Sequence, residues 1–257
     1  MSEIHKSAIV SARAEIADDV IIGPFSIIED NVVIGKGSKL DSSVVLASGA
    51  ILGENVRVSH GAVIGTKPQD LKFEGEETKA IIGDNTVIRE YVTVNRGTKA
   101  TGETRVGKDC MLMAYSHTAH DCHIGDNVIL ANSVNLAGHI EIDDYAILGG
   151  ILPVHQFVKI GTHAMIGGGF RVPQDVCPYA LLGGYPLKVV GVNKIGLRRR
   201  DFRKEVIDAL DHAFKFLFFS GLNTSQAVER IKNEMDIIPE IQIIFDFIKR
   251  SDRGLTK

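Results

Sequence analysis

Cysteine is scarce in this sequence, and charge of neither sign is in excess. Cys110, Cys122 and Cys177 are the only three cysteines in 257 residues, odd in number, widely spaced and without a C-x-x-C pair. That argues against a disulfide framework and against a cysteine-built zinc site, and it suits a reducing compartment. The 29 basic residues nearly balance the 32 acidic ones, so there is no global field to hold the chain on nucleic acid, and any anionic ligand must be met by a local patch. No uninterrupted apolar run approaches the roughly 20 residues that cross a bilayer, and the stretch from Met1 to Val10 lacks a basic segment followed by an apolar one. The expectations are a cytoplasmic protein with no stable membrane insertion and no nucleic-acid partner. Tryptophan is absent too, but 44% of the residues are hydrophobic, which excludes a disordered chain.

What the sequence does have is a period. Stepping by six from Ile4 meets Val10, Ile16, Ile22, Ile28, Ile34, Leu40, Leu46, Leu52, Val58 and Ile64; the register resumes at Ile82, Ile88 and Val94, and again from Val106 to Val172. Only Thr118 departs from the aliphatic rule. Gly follows the aliphatic residue repeatedly, as at Gly23, Gly35, Gly83 and Gly125, where a tight corner could use its tolerance of positive φ. A period of six fits neither a helix nor a hairpin array, but it suits a triangular coil in which three strands and three corners make a turn of about eighteen residues. This pattern resembles the left-handed parallel β-helix of hexapeptide-repeat acyltransferases and covers residues 1 to about 190. Its hand comes from the resemblance, against the usual right-handed crossover preference.

Two segments lack the pattern: 66–80, charged and carrying a Pro, and 97–104, small and polar. Both read as loops leaving the coil, the kind of position from which a rigid scaffold presents binding groups. Residues 191–257 form a small α-helical C-terminal domain: Val206, Leu210, Phe214 and Leu217 share one helical face, Gly221 stops that helix, Asn223 or Thr224 caps a second, and Pro239 opens a third. The fold class is therefore mainly β, with a helical tail.

The chemistry concentrates around Ser116 to His123. With eighteen residues to a coil, His120, Gly138 and Gln156 stack in one column and Asp121 and His139 in the next, with coils roughly 4.8 Å apart. A neutral imidazole can remove a proton from an attacking hydroxyl, worth on the order of 10²- to 10⁴-fold, and a fixed N–H beside it can stabilise an oxyanion by about 3 kcal/mol. Asp121 is a candidate to fix the His120 tautomer, although neighbouring side chains on a strand point oppositely unless a corner intervenes. Six histidines fall between residues 117 and 163, and the Thr118 break lies among them, as expected where a pattern yields to function.

The order of these residues is more specific than the hexads. His-x-x-His-Asp-Cys at His117 to Cys122, Leu-Ala-Gly-His at Leu136 to His139, Val-His-Gln-Phe at Val154 to Phe157, Pro-Gln-Asp-Leu at Pro68 to Leu71 and Gly-Val-Asn at Gly191 to Asn193 together resemble the UDP-N-acetylglucosamine 3-O-acyltransferases over essentially the whole chain. The resemblance implies transfer of a 3-hydroxyacyl chain from acyl carrier protein to the 3-hydroxyl of UDP-N-acetylglucosamine, the first step of lipid A synthesis. It implies a homotrimer with sites between subunits and neither metal nor cofactor. His120 would be the general base and the Gly138 N–H the oxyanion donor. Asp70 would hold the sugar near its 3-hydroxyl, with Gln69, Lys72, His117, His139, His155 and Gln156 lining the substrate or acyl pocket. Asn193, Arg199 and Arg200 would meet the nucleotide and its phosphates, and Gly168 would leave room for a long acyl chain. Basic residues near the tail would attract the acidic carrier protein.

One position departs from the family: Ile195 stands where better-known members often have Glu, which leaves open a 3-amino sugar and N-acylation. Two other classes share parts of the pattern. A γ-carbonic anhydrase would hold zinc through histidines, with His117, His120 and His123 as candidates, and a non-catalytic scaffold would bind sugar nucleotide without turnover.

Overall fold

The computed structural model describes residues 2–257. Strands of two to four residues follow one another at intervals of six along the coil, and each pairs in parallel with the strand one turn on: Glu3 lies beside Ile21, Ile27 beside Val45 and Glu15 beside Val33. They assemble three sheets, the faces of a prism. Sheet A has eleven strands, from Glu3–Ile4 to Lys188–Val192; sheet B has eight, from Ile9–Val10 to Leu152–Val154; sheet C has eight, from Glu15–Ile16 to Lys159–Ile160. The chain is a left-handed parallel β-helix closed by a helical tail.

Periodicity places the core. One aliphatic side chain from each hexad points inward, so Ile22, Ile34, Leu46, Ile64, Ile88, Leu130 and Ile160 are all buried. Ile4 is 47% exposed although it is in register, because it lies in the first described coil and has a neighbouring coil on one side only. Two residues ahead of each aliphatic position the interior is also filled. There Ser26, Ser38, Cys110 and Cys122 donate to a backbone carbonyl fifteen residues on, satisfying acceptors that the ladder leaves free. The cysteines are accordingly buried and free, and burial pushes the Cys110 thiol up to about 11 and Cys122 to about 12.

The glycines after the aliphatic residues have a different cause from the one the sequence suggests. Most of them do not have positive φ. A Cβ on Gly35 would lie 2.3 Å from the Gly53 carbonyl oxygen, and one on Gly83 would lie 2.6 Å from that of Gly107; they are glycine because successive coils touch backbone to backbone. The left-handed conformation falls two residues later, on Asp19, Asn31, Asn55, Asn85 and Asp121, and also on Tyr91, Tyr115, His139, Tyr145, Phe157 and His163. Asx residues tolerate it through local hydrogen bonding. The rings offset it by stacking on the next coil: Tyr91 on Tyr115, with centroids 5.3 Å apart, His139 on Phe157 at 4.6 Å and Tyr145 on His163 at 4.7 Å.

Two coils are longer than the rest. Arg57 pairs with Val87, thirty residues on, and Val87 with Met111, twenty-four on, so the insertions are whole hexads and the register resumes in phase. Both excursions leave the edge between sheets B and C. They span 67–78 and 96–102, tighter than the 66–80 and 97–104 read from composition, because the flanking strands Val63–Thr66, Lys79–Ile82 and Glu103–Val106 lengthen and pair with neighbouring coils.

The coil ends near Ile166, and an antiparallel hairpin, Ala180–Gly183 with Lys188–Val192, extends sheet A beyond residue 190. Helix α1 (Lys194–Arg198) was not expected; α2 (Lys204–Phe219), α3 (Thr224–Glu234) and α4 (Pro239–Arg250) follow. Asn223 caps α3 in a reciprocal capping box with Gln226. The tail is pinned to the coil: Arg250 meets Glu141 and Asp143, and Lys159 donates to the Arg250 carbonyl and pairs with Asp252. No helix among the described residues is long and apolar enough to cross a membrane.

Candidate active site

The B/C edge gathers the polar side chains that the sequence singles out. His117 opens a sheet B strand and points outward, with Nδ1 2.7 Å from the Thr93 hydroxyl. The chain then turns at His120 and Asp121. The positive φ of Asp121, 59°, swings its carboxylate back, so two adjacent residues meet with His120 Nδ1 2.7 Å from Asp121 Oδ2. The corner thus removes the strand alternation that would have kept them apart.

Asp121 is buried, its side chain without exposure, and every acceptor site on it is used. Oδ1 accepts from the Thr98 N–H at 2.9 Å and the Thr101 hydroxyl at 2.5 Å; Oδ2 accepts from the Thr98 hydroxyl at 2.8 Å and from His120. Burial alone would raise its pKa, but the hydrogen bonds from Thr101, His120 and Thr98 outweigh it and bring the carboxyl down to about 2. An ionised carboxylate can only accept, so Nδ1 of His120 carries the proton and a neutral ring keeps its lone pair on Nε2.

One coil on, Gly138 lies against that ring. A Cβ there would be 2.6 Å from Cε1 and 2.8 Å from Nε2 of His120. Its carbonyl accepts from the Phe157 N–H, while its own N–H has no acceptor among the described residues. A free imidazole nitrogen and a free backbone N–H therefore stand together at the edge.

His139 packs edge-on to His120, centroids 5.1 Å apart, with Nε2 3.7 Å from Asp121 Oδ2. Burial lowers its pKa against the attraction of Asp121, and Asp70, close enough to act on it, also opposes the fall. Burial and then the charge of His120 lower the pKa of His117. His155 and Gln156 continue the edge, the His155 Nδ1 donating to the Gln156 carbonyl at 3.1 Å. In the 67–78 loop Gln69 and Lys72 are exposed, Leu71 is wholly so, and the Asp70 carboxylate accepts from the Lys72 N–H.

The remaining sequence-predicted residues lie elsewhere on the prism. Gly168 is on the A/B edge, where a Cβ would meet the Gly150 carbonyl oxygen at 2.7 Å. Arg200 is at the C/A edge, its guanidinium 4.3 Å from the Tyr145 ring and near His163, whose pKa burial and then Arg200 bring down to about 4. Arg199 is exposed beside it. Asn193 spends its amide within the chain, Oδ1 capping α1 through the Gly196 N–H and Nδ2 donating to the His163 carbonyl.

Two expectations change. Thr118 points into the coil, fully buried and without a hydrogen-bond partner, so the core break marks the right coil but is no part of the cleft. His123 is exposed on the face of sheet C, on a different part of the coil from the His120 corner. The group whose donor atoms lie within 4.8 Å of one another is His120, Asp121 and His139, not His117, His120 and His123; with the Asp121 lone pairs occupied by N–H and O–H donors, it is poorly suited to a cation. The sequence reading missed Thr98, Thr101 and Thr104, the last accepting from the Asp121 N–H. The run of threonines in 97–104 was the available signal.

Similarity to known proteins agrees with this geometry. A family described as bacterial transferase hexapeptide (six repeats) matches residues 31–66 and 103–138, and one described as Udp N-acetylglucosamine O-acyltransferase, domain 2, matches 175–256. The acyl-[acyl-carrier-protein]--UDP-N-acetylglucosamine O-acyltransferase of Thermodesulfovibrio yellowstonii is 45% identical over 100% of both chains, and that of Syntrophobacter fumaroxidans 44% over 99% of this chain and 100% of the other. The solved UDP-N-acetylglucosamine acyltransferase from Bacteroides fragilis superposes with a TM-score of 0.97 at 44% identity, covering 99% of this chain and 100% of that one. The protein from Acinetobacter baumannii gives 0.96 at 42%, covering 99% of each. The chain belongs to the acyl-[acyl-carrier-protein]--UDP-N-acetylglucosamine O-acyltransferase family.

Proposed function

We propose that the protein moves a 3-hydroxyacyl chain from acyl carrier protein to the 3-hydroxyl of UDP-N-acetylglucosamine, the opening step of lipid A synthesis, in the cytoplasm. The observation that carries this is His120, its Nδ1 held by the Asp121 carboxylate, packed against the Gly138 backbone, whose N–H has no acceptor among the described residues. Nε2 takes the proton of the sugar hydroxyl as its oxygen attacks the thioester carbonyl carbon. The Gly138 N–H stabilises the tetrahedral oxyanion; the C–S bond then breaks and His120 returns the proton to the departing thiolate. Asp121 holds the ring. Asp70, whose charge reaches His139, holds the sugar, and Gln69, Lys72, His117, His139, His155 and Gln156 border the substrate.

The active assembly is a homotrimer. His120, Gly168 and Arg200 occupy three different edges of one triangular prism and cannot converge within one chain. Packing prisms side by side brings an edge of one against an edge of the next and completes the pocket, with Arg199 and Arg200 meeting the nucleotide's phosphates and Asn193 capping the helix that leads to them. The bare edge at Gly168 favours a long acyl chain, so a myristoyl-length donor should outcompete a decanoyl-length one. The named relatives are O-acyltransferases, which disfavours the amine acceptor, the anhydrase and the inert scaffold despite Ile195.

The test is to incubate the protein with 3-hydroxyacyl carrier proteins and either UDP-N-acetylglucosamine or its 3-amino analogue and to weigh the product. Acylation of the hydroxyl, abolished by His120→Ala with the fold intact, is expected. Acylation of the amine alone, or activity that survives His120→Ala, would overturn the reading.

A further inference from the structure

Asp121 Oδ2 stands between two histidines, with His120 Nδ1 at 2.7 Å and His139 Nε2 at 3.7 Å. Charge alone does not choose between them, since a carboxylate that turned by a small angle would accept from His139 instead. Something must stop the turn, and the donors on the far side do so.

Thr98 supplies two of them from one residue. Its N–H holds Oδ1 at 2.9 Å and its hydroxyl holds Oδ2 at 2.8 Å, a two-point grip that fixes the plane of the carboxylate. The residue is buried, 6% exposed, and its hydroxyl oxygen in turn accepts from the Ala100 N–H at 3.2 Å, which orients the O–H. Thr101 is a weaker candidate: its single hydroxyl proton is contested between Asp121 Oδ1 at 2.5 Å and the Glu103 carbonyl at 2.8 Å. Thr104 touches only the Asp121 backbone. The excursion 96–102, one hexad longer than the coil requires, brings Thr98 there.

We propose that Thr98 is a positioning residue: its hydroxyl and N–H lock the Asp121 carboxylate onto His120 and away from His139, and so keep the His120 proton on Nδ1 and leave Nε2 free. This rests on His120 acting as the base. Without the Thr98 hydroxyl, Oδ2 is free to swing toward His139, and His120 divides between its two tautomers, one of which cannot accept a proton at Nε2.

Thr98→Val removes the hydroxyl with little change of shape, and Thr98→Ser restores it. For Thr98→Val, kcat should fall by about ten- to a hundred-fold with KM for UDP-N-acetylglucosamine within about two-fold of the parent, while Thr98→Ser recovers most of the loss. In an Asp121→Asn background Thr98→Val should cost nothing further, since the carboxylate it orients is gone. Nitrogen-15 spectra of histidine-labelled protein, with His120 assigned by its loss in His120→Asn, should show the Nδ1–H tautomer in the parent and a mixture in Thr98→Val. Equal activity of Thr98→Val and the parent, additive losses with Asp121→Asn, or an unchanged His120 tautomer would each overturn the proposal. If the parent transfers no acyl group, the acyltransferase reading falls by itself and the tautomer spectra still decide the role of Thr98.

Discussion

Asp121 shows how much a single residue gains from its place on a corner. Buried and saturated with donors, it is ionised at any working pH, and a carboxyl depressed from the ordinary aspartate value of about 4 to about 2 contributes about 2 kcal/mol to folding. Because the folded pKa lies below the unfolded one, that contribution is full above about pH 4 and is lost as pH falls toward 2. Denaturant titrations of the parent and Asp121→Asn should therefore differ at pH 6 and converge near pH 2. Gly138 is the complementary case, where the absence of a side chain lets a ring approach. Gly138→Ala would put a methyl 2.6 Å from His120 Cε1; displacing the ring should lower kcat about a hundred-fold, with a melting temperature close to the parent's, a split read by steady-state kinetics beside calorimetry. Neither effect is visible in sequence beyond the eighteen-residue column that pairs Gly138 with His120.

At the scale of the element, the hexad is a strand of two residues and a corner, and its stability lies in contact with the coils on either side. The glycine after the aliphatic residue is required by backbone contact between coils. Gly35→Ala, with its Cβ 2.3 Å from the Gly53 oxygen, should destabilise the protein by about 1–3 kcal/mol in urea unfolding, whereas alanine at a glycine with open surroundings would not strain a neighbouring coil. The left-handed corner residues were not legible, since the sequence points to the glycines for positive φ, and only the stacked column explains why a Tyr, Phe or His ring is tolerated there. Helix α1 escaped notice for a related reason: five residues are too few to show a helical period, and Asn193 reads equally well as a ligand or as a cap.

Across the whole molecule, the tail is bound by groups that converge on Asp175. Its carboxylate accepts from the Lys159 N–H, the Ser251 hydroxyl and the Arg253 N–H, and its backbone pairs with Gly254 and Thr256. Asp175→Ala would strand those donors and should cost about 1–3 kcal/mol, with the segment after Arg250 becoming protease-sensitive before the coil unfolds; simultaneous cleavage and melting would count against a separate docking step. The sequence by itself determined the prism, its eighteen-residue turn, the edge that carries His120, Gly138 and His139, and the helical tail, because a strict period converts position in the chain directly into position in space. The tertiary structure alone decided that the 96–102 excursion folds back to grip Asp121, that Asn193 caps a helix, and that the close group is His120, Asp121 and His139. Those depend on loop paths and corner torsions that no period encodes, and on side-chain contacts between coils far apart in sequence.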